Sequence, residues 1–169
     1  MTGIGQKSRK ANMREQVSDV EKLIATNEIR EVMARYARHA DHKEFDDLAR
    51  LFTPDGTFTP HKVDGTVWIH MEGRESIAKT ITKSVGDAQV IHQLFSYETE
   101  LLSPTAARSV TAMADMVIRP ENEPLPANEE MAFRTMRGYG HYHGDFVKVE
   151  GRWYIKALVQ TRLKMDFTK

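Results

Sequence analysis

An α+β domain, with N-terminal helices packed on one face of a curved, mainly antiparallel sheet, is the fold this sequence predicts. The hydrophobic period carries the prediction. Apolar residues recur at helical spacing through most of the first half, then switch to a period of two from about residue 92 onward. A chain of 169 residues with no internal repeat and no domain boundary fits a single hydrophobic core. Alternating strand–helix units are missing, which argues against a doubly wound parallel sheet. Neither a G-x-G-x-x-G nor a G-x-x-x-x-G-K-[ST] run occurs, so the main nucleotide-binding motifs are absent.

The elements follow in order. Residues 1–18 carry Lys7, Arg9, Lys10 and Arg14 with almost no large apolar side chain, and read as a flexible basic tail. From Asp19 to about Ala40, Val20, Leu23, Ile24, Ile29, Val32, Met33, Tyr36, Ala37 and Ala40 form the apolar stripe of a long amphipathic helix. A short second helix presents Phe45, Leu48, Ala49 and Phe52, and Thr53-Pro54-Asp55-Gly56 ends it. Residues 57–70 read as a strand pair around Asp64-Gly65. Gly73-Arg74-Glu75-Ser76 then opens a third helix with Ile77, Ile81 and Val85 spaced by four. Strands are expected over about 92–102, 108–119, 132–149 and 152–163, with Glu150-Gly151 as the last hairpin turn. The proline- and glutamate-rich stretch 120–130 is an exposed loop between two of them.

Composition bounds the function. Lys+Arg and Asp+Glu cancel at 24 each, without the basic surplus that phosphate neutralisation requires, so no nucleic-acid partner is expected. No cysteine means no disulfide framework, no thiolate nucleophile and no cysteine-type zinc site. No apolar run approaches the roughly 18–20 residues that span a bilayer, and no secretory h-region is visible. A cytoplasmic protein without a membrane partner is the expectation.

Five residues carry possible chemistry. Asp41 ends the first helix, and Ala37 and Ala34 lie four and seven residues before it, leaving room beside a carboxylate. Tyr36 stands five residues before Asp41, about 140° around a regular helix, so the two share a cavity only if the helix bends. His92 opens a strand. Its ordinary pKa of about 6.5 suits proton transfer near neutrality, and a neighbouring carboxylate would fix its tautomer. Asp115 interrupts an otherwise apolar strand from Ala112 to Ile118, a costly position unless it is paired. Arg162, in phase with Leu158 and Gln160 on the last strand, is a candidate anion holder. His141 and His143 share a strand face with Asp145, a spacing that can hold a metal. Gly138, Gly140 and Gly144 around them read better as bulge markers in a long strand, and no metal or organic cofactor is expected. No G-x-S-x-G elbow is present, which leaves covalent catalysis without support.

These pieces also have a familiar order. ARYARHAD closes the first helix, then come FDDLARLFTPDGTF, EGRESI, the histidine of QVIHQL and the GHYHGDFVKVEGRWYI hairpin. Over about 19–165 the chain resembles the SnoaL-like family of the nuclear-transport-factor-2-like superfamily, in the branch holding scytalone dehydratase, hexachlorocyclohexane dehydrochlorinase and the bile-acid 7α-dehydratases. The resemblance implies a cone-shaped domain over 19–169 in which Asp41 and His92 form a general base. It also implies that Tyr36 donates to the substrate and that Asp115 lies nearby. An arginine which that branch uses on the last strand has Leu158 near its place here, so either Arg162 substitutes for it or the leaving-group chemistry differs.

The activity so implied is a cofactor-independent lyase of dehydratase type, acting on a small cyclic or polycyclic apolar molecule. An isomerase or cyclase using the same base is the nearest alternative. A non-catalytic binding module, or one like the β subunit of ring-hydroxylating dioxygenases, is a further one, since fold alone does not decide function. The resemblance further implies a homo-oligomer, trimer or dimer, built through the open sheet face.

Overall fold

The computed structural model describes residues 17–125, 127 and 132–169. The expected basic tail therefore falls almost wholly outside the described residues. Three helices and six strands follow in the order α1 (Asp19–Asp41), α2 (Phe45–Arg50), β1 (Phe52–Pro60), β2 (Met71–Glu72), α3 (Arg74–Val85), β3 (Gln89–Ser103), β4 (Ala106–Ile118), β5 (Thr135–Val149) and β6 (Arg152–Thr168). The strands form one sheet in the order β2-β1-β6-β5-β4-β3. Every pairing is antiparallel except β1 with β6. The α+β prediction and the mainly antiparallel sheet both hold.

Helix α1 starts where Ser18 accepts from the Glu21 backbone N–H and Glu21 returns a carboxylate to the Ser18 N–H, a capping box. Its buried residues are Ala25, Ile29, Val32, Met33, Tyr36, Ala37 and Ala40. Val20, Leu23 and Ile24 were expected on that stripe but are 65%, 71% and 52% exposed. At about 100° per residue they lie roughly 80–180° around the helix from Ile29, Val32 and Tyr36, so they belong to the outward face of α1 and not to the buried stripe.

The second correction concerns Phe52. It opens β1 instead of closing α2, and its backbone pairs with Ile155 of β6. Thr53-Pro54-Asp55-Gly56 forms an irregular stretch inside that strand, because the next registered pair is Thr57 with Ala157. The expected strand pair over 57–70 is reduced. Beyond β1, His61 and Val67 form a single bridge around Asp64-Gly65, and the antiparallel partner of β1 is the two-residue β2. Arg74 stitches this region together. Its Nε and Nη2 donate to the Phe52 carbonyl at 2.8 and 2.6 Å, which fixes α3 to the junction of α2 and β1. The GRES motif is thus structural at its arginine.

The core lies between the helices and the inner face of the sheet, with Ile29, Leu48, Phe52, Ile77, Ile155 and Leu158 fully buried. Glu28 of α1 accepts from Lys148 Nζ at 2.9 Å and Trp153 Nε1 at 3.0 Å, tying α1 to the β5–β6 hairpin. That hairpin turns at Glu150 and Gly151, both at positive φ (49° and 79°), as a two-residue primed turn requires.

The glycines of β5 face bulges that lie on its neighbour. Tyr139 and Gly140 pair with Lys164 and Arg162, so Leu163 is extra. Asp145 and Phe146 pair with Ala157 and Ile155, so Lys156 is extra. A Cβ on Gly140 would stand 1.9 Å from the Thr161 carbonyl, so only glycine admits the first bulge. The bulge at Lys156 rephases β6 so that Leu158, Gln160 and Arg162 all point inward.

Candidate active site

Strand register assembles the site. His92 of β3 lies directly opposite Asp115 of β4, and Asp115 lies opposite Gly138 of β5. Helix α1 ends at Asp41 over the start of β3. The Asp41 carboxylate Oδ1 accepts two hydrogen bonds from the same residue: His92 backbone N at 2.9 Å and His92 Nδ1 at 2.7 Å. An aspartate at a helix C-terminus stands at the negative end of the macrodipole, where a cation would be preferred. The paired N–H groups of His92 offset that placement. Because a carboxylate only accepts, Nδ1 carries the proton and Nε2 keeps its lone pair. Among the described residues nothing bonds Nε2.

His92 lines a cavity of about 420 Å³. Its walls are mostly apolar, with Phe45, Phe58, Trp68, Met71, Val117 and Met136 among them; Asp115 and Arg162 of the sheet line it beside Tyr36, Tyr142 and Gln160, and Thr80 and Ser84 of α3 add two hydroxyls. Tyr36 lines the cavity; Asp41 does not, and reaches it only through the imidazole. No helix bend is therefore needed to bring Tyr36 and Asp41 to one site, because the histidine bridges the 140° between them. Of the two alanines expected beside Asp41, Ala37 is buried and Ala34 is exposed; Ala40 is the one that lines the cavity.

The polar side is a buried network. Arg162 and Asp115 form a bidentate pair, Nη1 to Oδ1 at 2.6 Å and Nη2 to Oδ2 at 2.7 Å, with both side chains buried. Their mutual charge is what makes either tolerable there, and it holds the Arg162 guanidinium protonated above its ordinary value against the opposing effect of burial. Gly138 makes the reach between β4 and β6 possible. A Cβ there would meet Arg162 Nη1 at 2.2 Å and Asp115 Oδ1 at 2.4 Å. Arg162 sits four residues along β6 from Leu158, which is wholly buried in the core.

Two further residues were missed by the sequence reading. Gln160 Nε2 donates to Asp115 Oδ2 and to Tyr142 Oη, both at 3.3 Å. Tyr142 in turn packs against Tyr36, and their rings meet edge-on at 5.5 Å. Burial pushes both phenols well above their ordinary pKa, so both stay protonated throughout the neutral range. Tyr142 alternates with glycines along β5, and an inward-facing aromatic in that pattern was the available signal.

His141 and His143 lie on the opposite, open face of the sheet, with ring centroids 6.1 Å apart. His143 Nε2 is bonded to Thr161 Oγ1 at 3.0 Å, and Asp145 is engaged by Arg108 at 3.2 Å. Partial burial, followed by the neighbouring His141 and His61, lowers the His143 pKa. Among the described residues, His39, Glu44 and Asp47 place ligand atoms within 4.8 Å of one another. Arg38 lies 3.7 Å from that glutamate and 3.4 Å from that imidazole, which opposes a cation. A wider surface hollow of about 730 Å³, between α1 and the β5–β6 hairpin, is lined by arginines and glutamates and holds none of the predicted residues. No described helix is long and apolar enough to cross a membrane.

Comparison with known proteins places the chain by family and by fold. The SnoaL-like domain family matches residues 21–159. No curated protein matches the chain. Among solved structures, a candidate scytalone dehydratase from Novosphingobium aromaticivorans DSM 12444 superposes with a TM-score of 0.72 at 19% identity, over 90% of this chain and 93% of that one. A type 2 hexachlorocyclohexane dehydrochlorinase (LinA) gives 0.71 at 14% identity, over 90% and 94%. The β subunit of a candidate aromatic-ring-hydroxylating dioxygenase from the same Novosphingobium gives 0.67 at 12%, over 85% and 92%. At these identities the likeness is one of fold.

Proposed function

The chain belongs to the SnoaL-like family, and on that premise we propose that it is a cofactor-independent lyase of dehydratase type. One observation carries the reading: a carboxylate–imidazole pair at 2.7 Å whose histidine opens onto a mainly apolar cavity. The size and lining suit a neutral cyclic molecule bearing a carbonyl or hydroxyl group.

The roles follow from the chemistry of each group. His92 Nε2 takes the proton from a carbon beside the substrate carbonyl. That C–H pair becomes the new C=C bond as the neighbouring C–O bond breaks. The imidazolium returns its proton to the departing hydroxyl, which leaves as water, so the protein ends unchanged. Asp41 holds the ring in its working tautomer and stabilises the imidazolium while it exists. Tyr36 hydrogen-bonds the carbonyl oxygen as negative charge builds on it. Asp115 and Arg162 anchor the polar side. Arg162 is not a free anion holder, because Asp115 neutralises it.

The dioxygenase subunit among the structural neighbours favours a second reading, a module that binds without catalysis. The two are separated by incubating the protein with a panel of β-hydroxy cyclic ketones and following enone absorbance. We expect turnover in the wild type, and its loss in His92→Ala and in Asp41→Ala while both variants stay folded. Binding of the panel without enone formation would establish the module instead. Homo-oligomerisation through the open sheet face, where Ile91 and Tyr139 stand exposed, belongs to the same proposal, and light scattering on the purified chain tests it.

A further inference from the structure

Gln160 is held at its backbone and at its amide nitrogen, and one polar atom is left over. It stands opposite Tyr142 of β5, and its backbone carbonyl accepts from the His61 N–H at 2.8 Å. The residue is 5% exposed. Asp115 decides which way the side-chain amide turns. Both carboxylate oxygens of Asp115 receive N–H groups of Arg162, and a carboxylate only accepts, so the Gln160 atom 3.3 Å from Oδ2 is the amide nitrogen. The same nitrogen donates its second hydrogen to Tyr142 Oη, also at 3.3 Å. Both donors of the amide are thereby engaged inside the protein. The amide oxygen Oε1 is not. Among the described residues no donor reaches it, yet it is not a sealed atom: the sealed side-chain atoms without a partner are Thr53 Oγ1, Thr99 Oγ1, Arg119 Nε and Arg162 Nε. Gln160 lines the cavity, so the open surface of Oε1 faces the space a ligand fills. An amide oxygen in a mainly apolar cavity loses its water when a ligand enters, and that loss is costly unless the ligand brings a donor.

We propose that Gln160 is a specificity-determining residue whose Oε1 accepts a hydrogen bond from a hydroxyl group of the ligand, which makes cyclic alcohols the class this cavity selects. The ion pair then has a use apart from holding an anion. Arg162 fixes Asp115, and Asp115 fixes the amide so that its oxygen, and not its nitrogen, meets the ligand. Asp115 is the rival acceptor, but its two oxygens already take three N–H groups. A ketone or ether oxygen beside Oε1 would set one lone pair against another. The inference deepens the lyase reading and rests on it only in naming the hydroxyl as the one that leaves. The substrate then carries a carbonyl for Tyr36 and a hydroxyl for Gln160, whereas the enone product has lost its donor. Oε1 stays unpaired against the product, which is held less firmly than the substrate.

The test reads binding without requiring turnover. Tetralin, 1-tetralone and 1-tetralol share one skeleton and offer no polar group, an acceptor oxygen or a donor hydroxyl. None carries a hydroxyl β to a carbonyl, so the proposed elimination consumes none of them, and titration calorimetry gives each affinity. The ratio of tetralol to tetralin affinity should fall roughly three- to tenfold in Gln160→Met, the contribution of one neutral hydrogen bond. The ratio of tetralone to tetralin should stay as in the wild type, because a ketone has nothing to donate. Thr80→Val and Ser84→Ala, which remove the hydroxyls of α3 from the cavity wall, should leave both ratios unchanged. A crystal structure of the wild-type protein with 1-tetralol serves if Gln160→Met does not fold, and should place the ligand hydroxyl within hydrogen-bond reach of Oε1. An unchanged tetralol ratio in folded Gln160→Met would overturn the proposal. So would an equal fall in both ratios, or a ligand hydroxyl seated on Asp115 or His92 in the crystal. A tetralol preference that depends on Gln160, in a protein that forms no enone from the β-hydroxy ketones, would sink the lyase reading and leave this one standing.

Discussion

Gly138→Ala should destabilise this protein severely, although local propensity says the opposite. Gly138 sits inside β5 without a positive φ, and alanine at an unstrained strand position normally stabilises by roughly 0.5–1 kcal/mol. Here the added methyl would lie 2.2 Å from Arg162 Nη1 and 2.4 Å from Asp115 Oδ1. Both partners are held at two points and enclosed, so neither can give way without parting from the other. Separating a buried ion pair costs about 3–5 kcal/mol, because each charge is left without its counterion. The net loss should therefore be several kcal/mol. For a domain of this size that corresponds to a fall in Tm of roughly 6–20 °C, at about 2–4 °C per kcal/mol. Thermal and urea unfolding followed by circular dichroism would measure it. Repeating Gly138→Ala on an Asp115→Ala, Arg162→Ala background should give a much smaller change, since the obstructing atoms are gone. An unchanged or raised Tm in the single variant would refute the idea that this glycine exists to let the pair meet.

Three other outcomes follow from the same structure. Tyr36 and Tyr142 keep their protons in the folded state above the pH, about 10, at which an unfolded tyrosine releases its own, so stability should fall as pH rises past that point. The slope approaches about 1.4 kcal/mol per pH unit for each phenol, and urea midpoints across that range should show it flattened by one proton in Tyr36→Phe; an equal slope would count against the burial of that phenol. Glu150→Asn should stabilise by about 1 kcal/mol, because Glu150 holds φ 49° and asparagine tolerates that region better, as the melting temperature would report. Glu28→Gln should weaken the tie between α1 and the last hairpin by about 1 kcal/mol, since a neutral amide replaces the carboxylate that Lys148 and Trp153 share; chemical denaturation checks it.

Much of this architecture could be read from alternation and helical period, and the errors have local causes. Val20, Leu23 and Ile24 are apolar but fall out of phase with Ile29, Val32 and Tyr36, so hydrophobicity alone put them on a stripe that the roughly 100° step excludes. Phe52 continues the spacing of Phe45, Leu48 and Ala49, and only its long-range pairing with β6 removes it from the helix. At the site, His92 and Asp41 could be paired from the sequence only through the family resemblance; locally each is one titratable residue beside apolar or small neighbours, and their approach across 51 residues leaves no mark in the spacing. Asp115 was legible locally, as a charge in an apolar strand. Gln160 was harder to see. Strict alternation from Trp153 and Ile155 turns Ala157, Val159 and Thr161 inward, and the bulge at Lys156 moves the phase to Leu158, Gln160 and Arg162. A bulge is set by the neighbouring strand, where glycine admits the close approach, so it leaves no mark in the periodicity of β6 alone. Tyr142 and Gly138 matter for what lies across the sheet from them, which is also a property of register.

The central claim is that Asp41 fixes His92 with a proton on Nδ1 and a free lone pair on Nε2. Two-bond nitrogen–proton spectra of the nitrogen-15-labelled protein at mildly alkaline pH read that state directly, with no substrate required. The account predicts a protonated Nδ1 and an imine-type Nε2 for His92, with the preference lost or reversed in Asp41→Asn. A His92 ring protonated at Nε2 in the wild-type protein would contradict it.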